Sequence, residues 1–168
     1  MSFLLRKYIG DRWIINDPFS ETTKFPADPL GDLKTTDNKL SVFEIDDKKS
    51  NLDNVIIGLA SAPERKSLDD IEYVLLDTEE LEKEGFVIKK SKGKTLIDKV
   101  NEVHRDIVDL TAKRLVNLAK IIYQRTKIKS FMDYKRKQTI KTMMTDGINK
   151  GLFTSKDAEK IKERFKIS

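Results

Sequence analysis

Two hydrophobic periods divide this chain. From residue 40 to 45, Leu-Ser-Val-Phe-Glu-Ile alternates as a strand does, with Leu40 and Val42 on one face and Phe43 and Ile45 on the other. A helix follows, capped by Asn51 or Asp53, running through Val55, Ile56, Leu59 and Ala60 and stopping near Pro63. Residues 71–76 give a second strand. Asp77 or Thr78 then caps a short helix that ends at Gly85, and Phe86-Val87-Ile88 gives a third strand. Upstream, residues 8–15 read as a strand or hairpin interrupted at Gly10-Asp11. Residues 17–38 hold Pro18, Pro26 and Pro29 and read as a turn-rich loop, pinned by Phe19, Phe25, Leu30 and Leu33.

From Thr95 the period changes to that of a helix. At about 100° per residue, the apolar positions from Leu96 to Ile122 fall within an arc of roughly 160°. The opposite side carries Glu102, Arg105, Asp106, Asp109, Lys113 and Lys120, so a single long amphipathic helix is predicted over 95–123. A second helix is expected from Ser130 to Asp146, closed at Gly147, and a third from the capping pattern at Thr154-Ser155-Lys156-Asp157. The implied fold is α+β or α/β: a small mixed sheet in the N-terminal half, packed against a helical C-terminal half with one long amphipathic helix. The order β-α-β-α-β requires at least one crossover connection. The parts are residues 1–94, mixed α/β with the loop at 17–38, and residues 95–168, basic and helical, packed together as one globular unit.

Composition narrows the classes. The chain has 168 residues, 38% apolar and 36% charged, enough for one domain with a core. Its apolar runs are far shorter than the roughly 20 residues that span a bilayer, so no membrane insertion is expected. The first residues lack the apolar run and cleavage site of a signal peptide, and the absence of cysteine removes disulfides, thiol nucleophiles and thiolate metal sites. A cytoplasmic location follows as the expectation. Charge is the most informative feature: residues 1–90 hold 13 Lys/Arg against 19 Asp/Glu, and residues 91–168 hold 20 against 9. Between residues 113 and 141, ten bases face one acid, Asp133. Such a surplus attracts polyanions or an acidic partner.

Three groups of residues are candidates for chemistry. The bases Lys127, Lys129, Lys135, Arg136, Lys137 and Lys141 suit phosphates, with Tyr134 for stacking, although on a helix they would not form one stripe. Lys92 and Lys94, with Thr95, sit in a loop that copies the end of a phosphate-binding loop and leads into the expected helix. Ile88 stands where that loop needs its first glycine, which excludes nucleotide hydrolysis and leaves a weak anion site. Finally, Asp28 or Asp32, then Glu44, Asp46 and Lys48, superficially resemble the PD-(D/E)xK nuclease pattern over about twenty residues, with Asp46 where the lysine should stand. Arg114, central in the apolar arc, implies the end of a buried stretch or a pairing with an acid. The lone His104 reads as a packed, hydrogen-bonded residue, not a metal ligand.

The sequence therefore points to a non-enzymatic binding protein without cofactor, metal or catalytic residues, whose basic C-terminal face meets a polyanion, nucleic acid first. The alternative is a protein–protein adaptor, immunity or regulatory subunit recognising an acidic protein partner, with homo-oligomerisation through its oppositely charged halves as a variant. A metal-dependent nuclease is the minor alternative.

Overall fold

A computed structural model describes residues 2–15 and 25–167. Its centre is one six-stranded sheet built from β1 (Phe3–Tyr8), β2 (Leu40–Ile45), β3 (Ile71–Asp77), β4 (Val87–Lys90), β5 (His104–Val108) and β6 (Met132–Lys135). The spatial order is β4-β5-β2-β1-β3-β6, and every pairing is antiparallel. The class is α+β. Hydrogen-bonded neighbours are all antiparallel instead of mixed, and the expected crossover is present: β2 and β3 both run antiparallel to the β1 strand between them, and the helix Leu52–Ala60 joins them across it.

Both faces of β1, β2 and β3 carry buried apolar residues, which is why apolar side chains stand at adjacent positions in Leu4-Leu5, Val42-Phe43 and residues 73–76. Leu5, Phe43, Ile45, Tyr73 and Leu75 point to one face. There they pack against α2 (Leu52–Ala60), α4 (Asp98–Glu102), α6 (Lys137–Asn149) and α7 (Ser155–Phe165). Leu4, Leu40, Val42, Val74 and Leu76 point the other way, against α1 (Ala27–Asp32), α3 (Thr78–Lys83) and α5 (Ala112–Thr126). A one-turn 3-10 helix, Gly10–Trp13, closes β1 where the sequence shows Gly10-Asp11. Trp13 is buried on the second face, its ring edge-on to Tyr8 at 6.3 Å and to Phe25 at 6.4 Å. In the proline-rich segment, Phe25, Leu30 and Leu33 do pack into this layer. Phe19 lies outside the described residues.

Several local signals act as predicted. Asp77 accepts from the Glu80 amide at 3.1 Å and caps α3, and Thr154 accepts from the Asp157 amide at 3.2 Å and caps α7. The long helix over 95–123 does not form. Its span holds the short α4, then β5 inserted between β2 and β4, then α5. The break is made by Asp109, which takes a left-handed conformation (φ 57°), and by Thr111, which accepts from the Arg114 amide at 3.4 Å and starts α5 afresh. Residues 132–135, expected as the start of a helix, form strand β6, and α6 begins after them. That helix also runs past Gly147. It ends at Gly151 (φ 69°), where the Leu152 amide reaches back to the Gly147 carbonyl at 2.8 Å, a turn that favours glycine because no Cβ obstructs it. Among the described residues no helix is long and apolar enough to cross a membrane.

Candidate functional site

The predicted nucleic-acid residues gather at one margin of the sheet. Among the described residues β6 pairs only with β3, in the register Ile71 to Lys135 and Val74 to Met132, and its outer edge has no strand partner. Strand alternation sends Asp133 and Lys135 to the α2/α6 face and Met132 and Tyr134 to the other. On the first face, Lys129 and Lys135 meet Lys49 around a shallow depression of about 330 Å³ floored by Tyr73 and Leu75. Asp133 borders it, and the Tyr73 hydroxyl donates to its Oδ2 at 3.2 Å. On the second face Tyr134 is 47% exposed, with the Arg136 guanidinium 5.9 Å from its ring centre. Arg136 Nη2 donates to the Tyr134 hydroxyl at 3.3 Å, and this bond raises the guanidinium pKa further.

The remaining bases flank this margin. Lys127 caps the C-terminus of α5 with its amine 4.6 Å from the Tyr123 ring centre. Lys137 opens α6, where its amide donates to Asp70 Oδ1 at 2.7 Å, and Lys141 follows one turn later. Among the described residues the ion pairs are Arg105–Glu44, Arg125–Glu80 and Lys162–Glu159. None of the six predicted bases takes part in one. Lys129, Lys135 and Arg136 stand at the β6 edge, Lys127 lies at the end of α5, and Lys137 and Lys141 lie on α6, so the six do not form a stripe along one helix. Lys49 was missed because it reaches the margin from the β2–α2 turn, where its neighbours Asp46 and Asp47 mask its role.

A second feature lies on the α2/α6 face, at the end of the sheet those helices leave uncovered. A cleft of about 600 Å³ opens over β1, β2 and β5. Its floor carries Lys7, Ser41, Phe43, His104 and Asp106, and its rim includes Lys34, Lys39, Lys92 and Lys94. Ser41 donates to Asp106 Oδ1 at 3.2 Å, and His104 Nδ1 is 2.7 Å from the Ser91 hydroxyl. The imidazole packs edge-on to Phe43 at 5.1 Å, and burial pushes its pKa below the ordinary value, keeping it neutral near pH 7. His104 is thus packed and hydrogen-bonded, as expected, on a strand where a helix was predicted.

The loop anion site changes character. Lys92 and Lys94 are exposed at the cleft rim, whereas Thr95 is engaged internally. Its amide and hydroxyl lie 2.7 and 2.9 Å from Asn101 Oδ1, and Asn101 Nδ2 donates back to its carbonyl at 3.0 Å. Gly93 is required by this clasp, because a Cβ there would stand 2.8 Å from Asn101 Cα. The helix that follows is a five-residue turn, so the expected contribution of a long helix N-terminus is absent from the site. Polar residues on otherwise apolar strand faces, Ser41 and Asp106, were the available signal for the cleft. Lys7, Lys34 and Lys39 had none.

The nuclease arrangement is not assembled. Asp32 accepts from the Ile9 amide and Trp13 Nε1, Glu44 pairs with Arg105, and Asp46 closes the β2–α2 turn through Ser50 and Asn51. Among the described residues no cluster of three acidic or histidine side chains could hold a metal ion. Arg114, for its part, donates to the Gly85 carbonyl at 2.8 Å instead of meeting a carboxylate. No family model, curated protein or solved structure matches the chain.

Proposed function

We propose that this chain is a non-enzymatic binding protein that engages a polyanion, nucleic acid first, along the basic margin formed by β6 and its flanking segments. The observation that carries this reading is that Lys127, Lys129, Lys135, Arg136, Lys137 and Lys141 take part in no ion pair among the described residues, with Lys129, Lys135 and Arg136 at the edge strand. Uncompensated cations on a folded surface release counterions when phosphates replace them, and exposed Tyr134 offers a ring for an unpaired base. Contacts of this kind neutralise charge and carry little sequence information.

The test is a titration of the intact chain against single- and double-stranded DNA and RNA at two salt concentrations. Binding should weaken steeply with salt, and replacing Lys135 and Lys137 together by glutamate should weaken it uniformly across sequences while reducing the salt slope by about one per lost phosphate contact. Absence of binding even at low salt overturns the proposal. A second reading has its own support: the outer edge of β6 is free to accept a strand from an acidic protein, whose side chains would meet the same bases. That partner would bind the chain when nucleic acid does not.

A further inference from the structure

We propose that the cleft over β1, β2 and β5 is a separate binding site for a phosphorylated sugar, free or within a nucleotide. It does not rest on the polyanion reading, since it lies at the other end of the sheet from β6 and uses different residues. At about 600 Å³ it falls in the size range of small-molecule sites, about 300–1,000 Å³.

Five lysines converge on it from three distant stretches of chain: Lys7 from β1, Lys34 and Lys39 from the segment before β2, Lys92 and Lys94 from the β4–α4 loop. Like charges brought together by folding repel one another unless an anion joins them. The Lys7 amine has its pKa lowered first by burial and then by Arg65, with Asp32 and Asp69 opposing. More telling, the buried side-chain nitrogens without a hydrogen-bond partner among the described residues are Arg6 Nε and Arg65 Nη1. Arg6 borders the cleft from the α1/α5 side of β1, its Nη1 and Nη2 donating to the Ser41 and Asp32 carbonyls at 3.1 and 3.2 Å, and Arg65 stands close enough to act on Lys7. Buried unpaired donors are rare in folded proteins, so the two arginines leave spare donor capacity around Lys7.

The acceptor side selects the rest of the ligand. Asp106, held by Ser41, lies on the floor, with Asp37 and Glu64 on the rim, and carboxylates among lysines suit the hydroxyls of a sugar while the cations take its phosphate. Ser91 holds His104 Nδ1, which leaves Nε2 as the ring nitrogen able to meet a hydroxyl or phosphate oxygen. The Thr95–Asn101 clasp fixes the loop that carries Lys92 and Lys94, so the rim is organised before a ligand arrives.

The chain has one histidine, so its imidazole gives a single resonance located in the cleft. The intact protein is titrated with ribose 5-phosphate, AMP, adenosine and inorganic phosphate, following that resonance by NMR and affinity by calorimetry. Saturable binding of ribose 5-phosphate or AMP that moves the His104 signal is expected, with adenosine and inorganic phosphate each weaker by about tenfold or more. Tighter binding of AMP assigns a nucleotide, and equal or tighter binding of ribose 5-phosphate assigns a free sugar phosphate. Replacing the exposed Lys92 and Lys94 by alanine should weaken binding about tenfold, whereas Lys135→Ala should leave it unchanged. The proposal is overturned if neither sugar phosphate binds at millimolar concentration, if inorganic phosphate binds as well as they do, or if the lysine pair proves indifferent.

Discussion

Asp32 shows how one carboxylate can organise a corner of this protein. It is 8% exposed and accepts from the Ile9 amide and from Trp13 Nε1, both at 2.8 Å. Asp32→Ala leaves two buried donors unpaired and should cost about 2–4 kcal/mol, measured by urea unfolding followed through the fluorescence of the single tryptophan. His104 sets a pH window. Because burial lowers its pKa, the unfolded chain binds the proton more readily than the folded one. Its contribution is therefore complete above about pH 6.5 and is lost as pH falls from there toward the lower folded value. Asp106 on its own strand opposes the shift, after burial, and Arg105 adds to it, with Lys7, Lys92 and Lys94 facing the same cleft. Denaturation midpoints measured from pH 8 down to about pH 5 should decline, and His104→Gln should remove that decline. Asp46 acts in a different window: hydrogen bonds from Ser50 lower its carboxyl pKa, so its contribution persists until the pH drops below the ordinary carboxylate range.

Among elements, β5 separates what the sequence could express from what only the folded chain decides. Strands β2 and β3 are legible because apolar residues recur on both their faces between turn signals. In β5 one face opens on the cleft, so His104 and Asp106 occupy positions that would otherwise be apolar, and Ile107 and Val108 fell by coincidence into a helical arc. The caps at Asp77 and Thr154 could be read because a cap is a contact between near neighbours in sequence. The placement of β5 depends on β2 and β4, distant along the chain, and local periodicity carries no record of them. Likewise the helical period expected over Tyr134 and Lys135 gives way to an edge strand, while Lys137 and Lys141 keep the helix expected for them. Hydrogen exchange tests this assignment: amides across His104–Val108, bonded on both sides of the strand, should be protected well beyond those of Met132–Lys135, which has one neighbour only.

At the scale of the molecule, the acidic and basic halves of the sequence are interwoven in one sheet. Strands β5 and β6 come from the basic half, and β5 fills the position between β2 and β4. A fragment of residues 1–94 would lack the strand that joins β4 to the rest, along with every helix after α3. It should therefore show no cooperative unfolding transition by circular dichroism, in contrast to the intact chain. The two outermost strands finish alike, with Lys89 and Lys90 at the end of β4 and Lys135 and Arg136 at the end of β6. Terminal cations on an unpaired strand oppose its docking onto another copy, because two such rims would confront each other with the same sign. Lys89→Thr combined with Lys135→Thr should accordingly raise the sedimentation coefficient at high protein concentration, as neighbouring molecules lose the repulsion that keeps their hydrogen-bonding borders apart. That outcome would give the cationic fringe a colloidal duty independent of any ligand, keeping molecules with exposed strand borders dispersed in a crowded solution.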